Sequence, residues 1–141
     1  MTRFGFFIAL LFAMIMSSLA SYSEGNLASR GTRLPDMKID SQNLVFSQKV
    51  FEIETGKYYR WRISHDGYEE MQLVASEFFR NVWVDQIVIN DLEVQPMGMH
   101  SVEFDDAGIM DIWFVPVRTG NFNFWVKGYR QRGLEGVFKI R

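Results

Sequence analysis

From residue 43 onward, the chain alternates short apolar segments with polar turns. In residues 58–63, Tyr59, Trp61 and Ile63 alternate with two arginines. A period of two residues is typical of a strand with one buried face. Segments with this character cover residues 44–46, 50–53, 58–63, 71–74, 83–89, 92–94, 101–104, 109–115, 122–126 and 137–140. Many short strands separated by Gly and Asp turns predict an all-β sandwich or barrel formed by residues 43–141.

Two regions depart from this alternation. Residues 69–80 place Met71, Val74 and Phe78 at roughly helical spacing, so this segment could hold a helical turn. Residues 21–42 are polar and show no sustained period of either kind. They are therefore interpreted as a flexible N-terminal arm.

The first 20 residues have the pattern of a Sec-type signal peptide. A basic start is followed by 13 apolar residues at positions 4–16 and by the small-residue sequence ending at Ala20. As a helix, this run would rise about 20 Å, which is less than the roughly 30 Å hydrocarbon core of a bilayer. We expect cleavage after Ala20, a periplasmic or secreted protein and no stable membrane anchor. An uncleaved anchor is the alternative.

Composition excludes several kinds of chemistry. The chain has no cysteine, so it has no disulfide, no thiolate metal site and no cysteine nucleophile. Its formal net charge of −2 does not favour binding to nucleic acid or an anionic membrane. Its two histidines lie in no recognisable nucleophile–base pattern, and a Gly-x-Ser-x-Gly motif is absent. The sequence therefore predicts a protein that is not an enzyme.

Residues 114–141 carry the most specific pattern. They contain two strand-like segments around Thr119-Gly120, a polar loop marked by Gly128, Gly133 and Gly136, and a closing strand-like segment. This arrangement resembles the end of a cupredoxin, a family of small copper-carrying proteins. The resemblance implies a cupredoxin-like Greek-key β-sandwich or barrel.

The resemblance also implies where copper ligands would stand. In cupredoxins, a Cys, a His and a Met in this region hold copper together with a His from an upstream loop. The corresponding positions are Phe124 or Trp125 for the Cys, Tyr129 for the His and Leu134 for the Met, with the upstream His expected near residues 77–81. None of these is a copper-binding residue of the required kind. The chain is therefore expected to lack a blue-copper centre.

Aromatic and basic residues take the place of those ligands. If the loops at the end of the sandwich no longer hold copper, they are candidates for binding a protein partner, because Trp, Tyr and Arg concentrate at binding hot spots. The alternative is that the aromatic residues fill the core and the arginines are solvated. The candidate partner-binding residues are Arg80, Trp83, Trp125, Tyr129, Arg130 and Arg132.

A second functional hypothesis retains copper. Met97, Met99 and His100 place two thioethers and an imidazole within four residues, and His65 is a further soft donor. Such ligands suit Cu(I), as in a carrier or storage protein. The alternative is that the methionines fill gaps between the loop and the sandwich. The first hypothesis is therefore an exported accessory module without a cofactor, which binds an unidentified periplasmic protein, and the alternative is a periplasmic Cu(I)-binding protein.

Overall fold

The structure is a computed structural model that describes Leu27 and residues 29–141. The predicted signal peptide, together with residues 21–26 and residue 28 of the predicted arm, lies outside the described residues. The described part contains one α-helix, α1 (Ser76–Arg80), and a short 3₁₀ helix at Arg130–Arg132. Its strands are β1 (Thr32–Arg33), β2 (Met37–Asp40), β3 (Val45–Phe46), β4 (Val50–Ile53), β5 (Tyr59–His65), β6 (Met71–Val74), β7 (Val82–Ile89), β8 (Leu92–Val94), β9 (Ser101–Phe104), β10 (Gly108–Pro116), β11 (Gly120–Val126) and β12 (Glu135–Ile140).

The strands form two sheets that pack face to face. Sheet A has the order β3-β2-β5-β10-β7-β8, with β1 also paired to β5, and sheet B has the order β4-β12-β11-β6-β9. The parallel pairs β2–β5 and β4–β12 join strands that are not consecutive, whereas β11 and β12 form an antiparallel pair. The predicted all-β sandwich is confirmed. Within the described residues, no helix has the length and apolar character needed to cross a membrane.

Aromatic rings form the centre of the core. Trp61 on β5 is completely buried, and its ring centroid lies 4.9 Å from that of Phe138 on β12 in an edge-to-face contact. The ring of Phe78 in α1 stacks on the ring of Phe138, with 4.0 Å between the ring centroids. Burying each such side chain contributes about 2 kcal/mol or more to the free energy of unfolding. These contacts join both sheets and the helix, so the two-residue period of the strands directly produces the core.

The prediction of a flexible arm over residues 21–42 is wrong for its C-terminal part. β1 and β2 both pair with β5, and Met37 and Ile39 are completely buried. The apolar alternation in β2 covers only four residues. Such a short signal is difficult to recognise in a polar segment, and pairing with β3 and β5 makes it a strand. Within the described residues, the sandwich therefore begins at Thr32.

The helical turn considered for residues 69–80 occurs only in their last part. Residues 71–74 form β6, and α1 occupies Ser76–Arg80. α1 follows β6 and packs Phe78 and Phe79 into the core. One end of the sandwich contains α1 and the β10–β11 turn, and it is called the α1 end. The opposite end contains the β5–β6, β9–β10 and β11–β12 loops, and it is called the Tyr129 end.

Candidate functional site

The β11–β12 loop at the Tyr129 end is held in a defined conformation. Gly128 and Gly133 adopt positive φ angles of 82° and 95°, which favour glycine, on either side of the 3₁₀ helix. Leu134 is completely buried and anchors the end of the loop. From the neighbouring β3–β4 connection, Lys49 Nζ donates a hydrogen bond to the carbonyl oxygen of Gly133 at 2.7 Å. The loop therefore presents its exposed side chains from a fixed backbone.

Trp125, near the end of β11, and Arg130 of the β11–β12 loop are in contact. The guanidinium carbon of Arg130 lies 4.5 Å from the centroid of the Trp125 ring, in a cation–π arrangement. Arg130 Nε also donates a hydrogen bond to Glu135 Oε1 at 2.9 Å. Because Trp125 and Glu135 are direct cross-strand partners on β11 and β12, both groups that hold Arg130 lie on the outer face of sheet B.

Tyr129 links this loop to the β5–β6 loop. Its hydroxyl donates a hydrogen bond to Glu69 Oε2 at 2.9 Å, and the guanidinium carbon of Arg132 lies 5.7 Å from its ring centroid. The hydrogen bond to Glu69 and the negative charge of that carboxylate raise the pKa of Tyr129. Trp125 with Arg130, and Tyr129 with Arg132, therefore form two contacts at this end of the sandwich. These four residues are called the Tyr129 surface, in which Glu69 binds Tyr129 and Glu135 binds Arg130.

The residues at the expected copper-ligand positions do not fit type 1 copper. Phe124 is completely buried, with ring contacts to Phe46, Phe51, Trp61 and Phe138. Trp125, the other position considered for the Cys, lies on the opposite face of β11. Leu134 is an apolar core residue, and the hydroxyl of Tyr129 is bonded to Glu69. None of these side chains provides the thiolate, imidazole or thioether that such a centre requires.

The expected position of the upstream ligand, residues 77–81, is wrong. These residues belong to α1 and its C-terminal cap, and Asn81 accepts a backbone hydrogen bond from Val117 next to the β10–β11 turn. They therefore lie at the α1 end, and the upstream residue that meets Tyr129 is Glu69. Sequence distance does not reveal which loop reaches the end of β11, because that depends on how β6 pairs with β11.

The candidate partner-binding residues lie at two opposite ends of the sandwich. Arg80 and Trp83 lie at the α1 end, where Arg80 is near Arg118 and Thr119 of the β10–β11 turn. The other four candidates form the Tyr129 surface. Sequence reasoning missed Glu69 and Glu135, which hold that surface in place. The alternation of β12 predicts an outward side chain at Glu135, but no sequence signal pairs Glu69 with Tyr129.

The candidate Cu(I) ligands lie at the α1 end as well. Met97 and Met99 line a groove of about 300 Å³, together with Trp83, Phe79 and Pro96. Met97 is fully exposed, and Met99 packs partly against the core. His100 follows directly and is also exposed. Two thioethers thus share one groove, with an imidazole next to them in sequence.

His65 does not belong to this group. Its side chain is completely buried at the Tyr129 end, where its ring lies 5.4 Å from that of Phe104. Its Nδ1 atom accepts a hydrogen bond from the backbone N–H of Gly67 at 3.2 Å. Because Phe104 ends β9 and His100 precedes its first residue, the two histidines lie at opposite ends of this strand. The structure therefore removes His65 from the candidate Cu(I) ligands.

The outer face of sheet A contains a charged cluster. Arg62 binds Asp111 through Nε at 2.9 Å and Nη2 at 2.8 Å, and Arg60 Nε lies 3.3 Å from the same carboxylate. Nearby, the Tyr58 hydroxyl donates a hydrogen bond to Asp85 Oδ2 at 2.6 Å. Burial and this carboxylate raise the pKa of Tyr58. These groups stabilise pairing across β5, β7 and β10.

Comparison with known proteins identifies the fold. Neither a protein-family model nor a curated protein matches the sequence. Among solved structures, the chain is similar to reduced auracyanin from Roseiflexus castenholzii, with a TM-score of 0.52 and 15% identity over 80% of this chain and 98% of that chain. It is also similar to auracyanin A, a "blue" copper protein from Chloroflexus aurantiacus, with a TM-score of 0.51 and 7% identity over 79% of this chain and 100% of that chain.

Larger copper enzymes contain a similar unit. A multi-copper oxidase from Pediococcus acidilactici matches with a TM-score of 0.59 and 8% identity, over 82% of this chain and 27% of the oxidase. The chain thus corresponds to about a quarter of that enzyme. At these identities the similarity concerns the fold, and it confirms the predicted cupredoxin-like β-sandwich.

Proposed function

We propose that this protein is an exported accessory module that binds a protein partner through the Tyr129 surface, with no blue-copper centre and no enzymatic activity. The observation that carries this proposal is the construction of the surface. Arg130 contacts both the Trp125 ring and the Glu135 carboxylate, and Tyr129 is hydrogen-bonded to Glu69. Side chains that are already ordered lose less conformational entropy on binding, which favours affinity. The signal-peptide pattern supports export.

The charge of the surface supports a protein as its ligand. Lys49, Lys127, Arg130 and Arg132 surround the loop, and Glu69 and Glu135 offset part of this charge. A local mixture of basic, acidic and aromatic groups is typical of the rim and anchor residues of a protein interface. Because the whole chain is mildly acidic, a nucleic acid is a poor alternative ligand.

Site-specific photo-crosslinking in the native cell tests the proposal. A photoreactive residue replaces Arg132 in the full chain, and the matched control carries it at Thr119, an exposed position in the β10–β11 turn at the α1 end. We expect a discrete crosslinked protein at position 132, lost on Trp125→Ala, and no such product at position 119. The same product at both positions, or none at position 132, would overturn the proposal.

The groove at the α1 end favours a second candidate function, Cu(I) binding, because Met97 and Met99 line it together. Titration of the purified protein with Cu(I) against a competing chelator tests this function. Submicromolar binding that is lost in the double variant Met99→Leu and His100→Ala would support it. Binding that the double variant retains, or no binding at all, would exclude these residues as the site.

A further inference from the structure

Strand β8 forms an open edge of sheet A. It pairs with β7 through Ile89–Leu92, Val88–Glu93 and Ile87–Val94, and within the described residues no strand pairs with its other side. An open edge presents backbone N–H and C=O groups that can pair with an added strand. The unpaired side of β8 is therefore available for pairing with an added strand.

The apolar residues of this edge are uncovered. Cross-strand partners share a face, so Ile89, Leu92 and Val94 lie on the same face of sheet A as buried Ile87. Yet Ile89, Leu92 and Val94 are 42%, 64% and 40% exposed. The apolar inner face of sheet A thus continues past the edge of the core, where it has nothing to pack against in the described part of the chain. Such an apolar strip indicates an interaction surface.

The backbone N–H and C=O groups of Glu93 point toward the unpaired side of β8. The turn between β7 and β8 contains only Asn90 and Asp91, so Ile89 and Leu92 form the hydrogen-bonded pair that closes it. In an antiparallel ladder, hydrogen-bonded and non-hydrogen-bonded pairs alternate. The next pair, Val88–Glu93, is therefore non-hydrogen-bonded, and Glu93 turns its N–H and C=O away from β7. A strand added at β8 would form its hydrogen bonds with Glu93.

Charge indicates what kind of strand fits. Residues 81–100 contain Asp85, Asp91 and Glu93 and neither Lys nor Arg. If two copies of the chain paired symmetrically through β8, centred on Glu93, the two Glu93 side chains would face each other, and like charges directly opposite are destabilising. A strand with a basic residue opposite Glu93 and apolar residues on either side would complement both the charge and the uncovered inner face.

We propose that β8 binds an extended segment of another protein, of the pattern apolar–basic–apolar, as an added strand of sheet A. The added strand covers Leu92 and Val94 with its apolar side chains and pairs its basic side chain with Glu93. This site is separate from the Tyr129 surface, and it does not depend on the function proposed for that surface.

Two model peptides test the proposal with the purified protein. One alternates valine with lysine, the other alternates valine with glutamate, and binding is followed by NMR shifts of the backbone amides of β8. We expect the lysine peptide to bind at least about fivefold more tightly. In Glu93→Lys the preference reverses. Glu103→Lys, which makes the same charge change on edge strand β9, leaves it unchanged.

A backbone modification distinguishes strand addition from simple charge attraction. N-methylation of the lysine opposite Glu93 removes a hydrogen-bond donor and is expected to abolish the shifts, whereas N-methylation of a neighbouring valine leaves them. Equal binding of the two peptides, an unchanged preference in Glu93→Lys, or insensitivity to N-methylation would each overturn the proposal. Trp125→Ala, the variant that tests the Tyr129 surface, leaves peptide binding unchanged, so the two proposals fail independently.

Discussion

The ring of Phe124 on β11 occupies the space above Gly136 on β12. The two residues are direct cross-strand partners, and a β-carbon at position 136 would overlap the ring and come within 2.6 Å of the Lys49 carbonyl oxygen. Gly136 has no positive φ angle, so it is needed for space and not for backbone conformation. One of the two positions where the cupredoxin resemblance places a copper-binding Cys is thus filled by an aromatic ring, and its cross-strand partner Gly136 leaves room for that ring.

Gly136→Ala is therefore expected to lower the free energy of unfolding by about 2 kcal/mol or more, because overpacking forces the ring or the backbone to move. Urea denaturation measures the loss. Gly98→Ala is the matched control, since a β-carbon there meets no atom within 4 Å. In the double variant with Phe124→Leu, the smaller side chain relieves the overlap. Its loss should be smaller than the sum of the two single losses, and strict additivity would contradict the overlap.

Asp111→Asn should lower the free energy of unfolding by about 2 to 3 kcal/mol. The change removes the charge that neutralises Arg60 and Arg62, and the side chains of Asp111 and Arg60 are mostly buried although they lie on the outer face of sheet A. This figure lies below the range for a fully buried pair, because Arg62 is partly exposed. Glu52→Gln, which weakens an exposed pair with Arg141, should cost less than about 1 kcal/mol. Equal losses for the two variants would contradict the structural role of Asp111.

Asp66 should titrate with a pKa of about 2, below the ordinary value for Asp. Burial alone raises its pKa, but hydrogen bonds from the Ser41 hydroxyl and from the backbone N–H groups of Ser41, Tyr68 and Gln42 together outweigh this effect. Because the folded-state pKa is depressed, the carboxylate contributes stability above about pH 4, and this contribution is lost as the pH falls toward 2. Ser41→Ala removes one donor, so the pKa of Asp66 should rise. Carboxyl-carbon NMR titration measures it, and an unchanged pKa would show that the Ser41 hydroxyl is not responsible.

Addition of Cu(II) to the purified protein should produce no intense blue absorption. That colour requires a cysteine thiolate bound to copper, and the chain contains no cysteine. Visible spectroscopy over a Cu(II) titration checks this expectation. Development of the intense band would show that another set of ligands creates such a centre.

Expression of the full chain in a bacterial host with a functional export system should yield a mature protein that begins at Ser21. The basic start, apolar run and small residues before Ala20 form the signal for this cleavage. Intact-mass measurement of the exported protein identifies the new N-terminus. A product that retains Met1 and remains with the membrane fraction would instead support the uncleaved anchor.

Local sequence pattern and composition are enough to predict the fold class and to exclude thiolate chemistry. Alternation in segments such as residues 58–63 predicts strands because side chains of a strand point to opposite faces, a local rule that needs no knowledge of neighbouring strands. The lack of cysteine removes thiolate chemistry under any fold. The glycine spacing of the β11–β12 loop is also visible in the sequence. In the structure, Gly128 and Gly133 adopt positive φ angles, which favour glycine.

Which residues share a surface depends on contacts between distant parts of the chain. Glu69 meets Tyr129 across 60 residues of sequence, whereas Arg80 and Trp83 lie at the opposite end of the sandwich from Tyr129. The short strand β2 acquires its place by pairing with β3 and β5, and the exposed side of β8 follows from the order of strands in sheet A. These relationships depend on long-range strand pairing. The sequence pattern shows which face each side chain occupies, but strand order determines which side chains become neighbours.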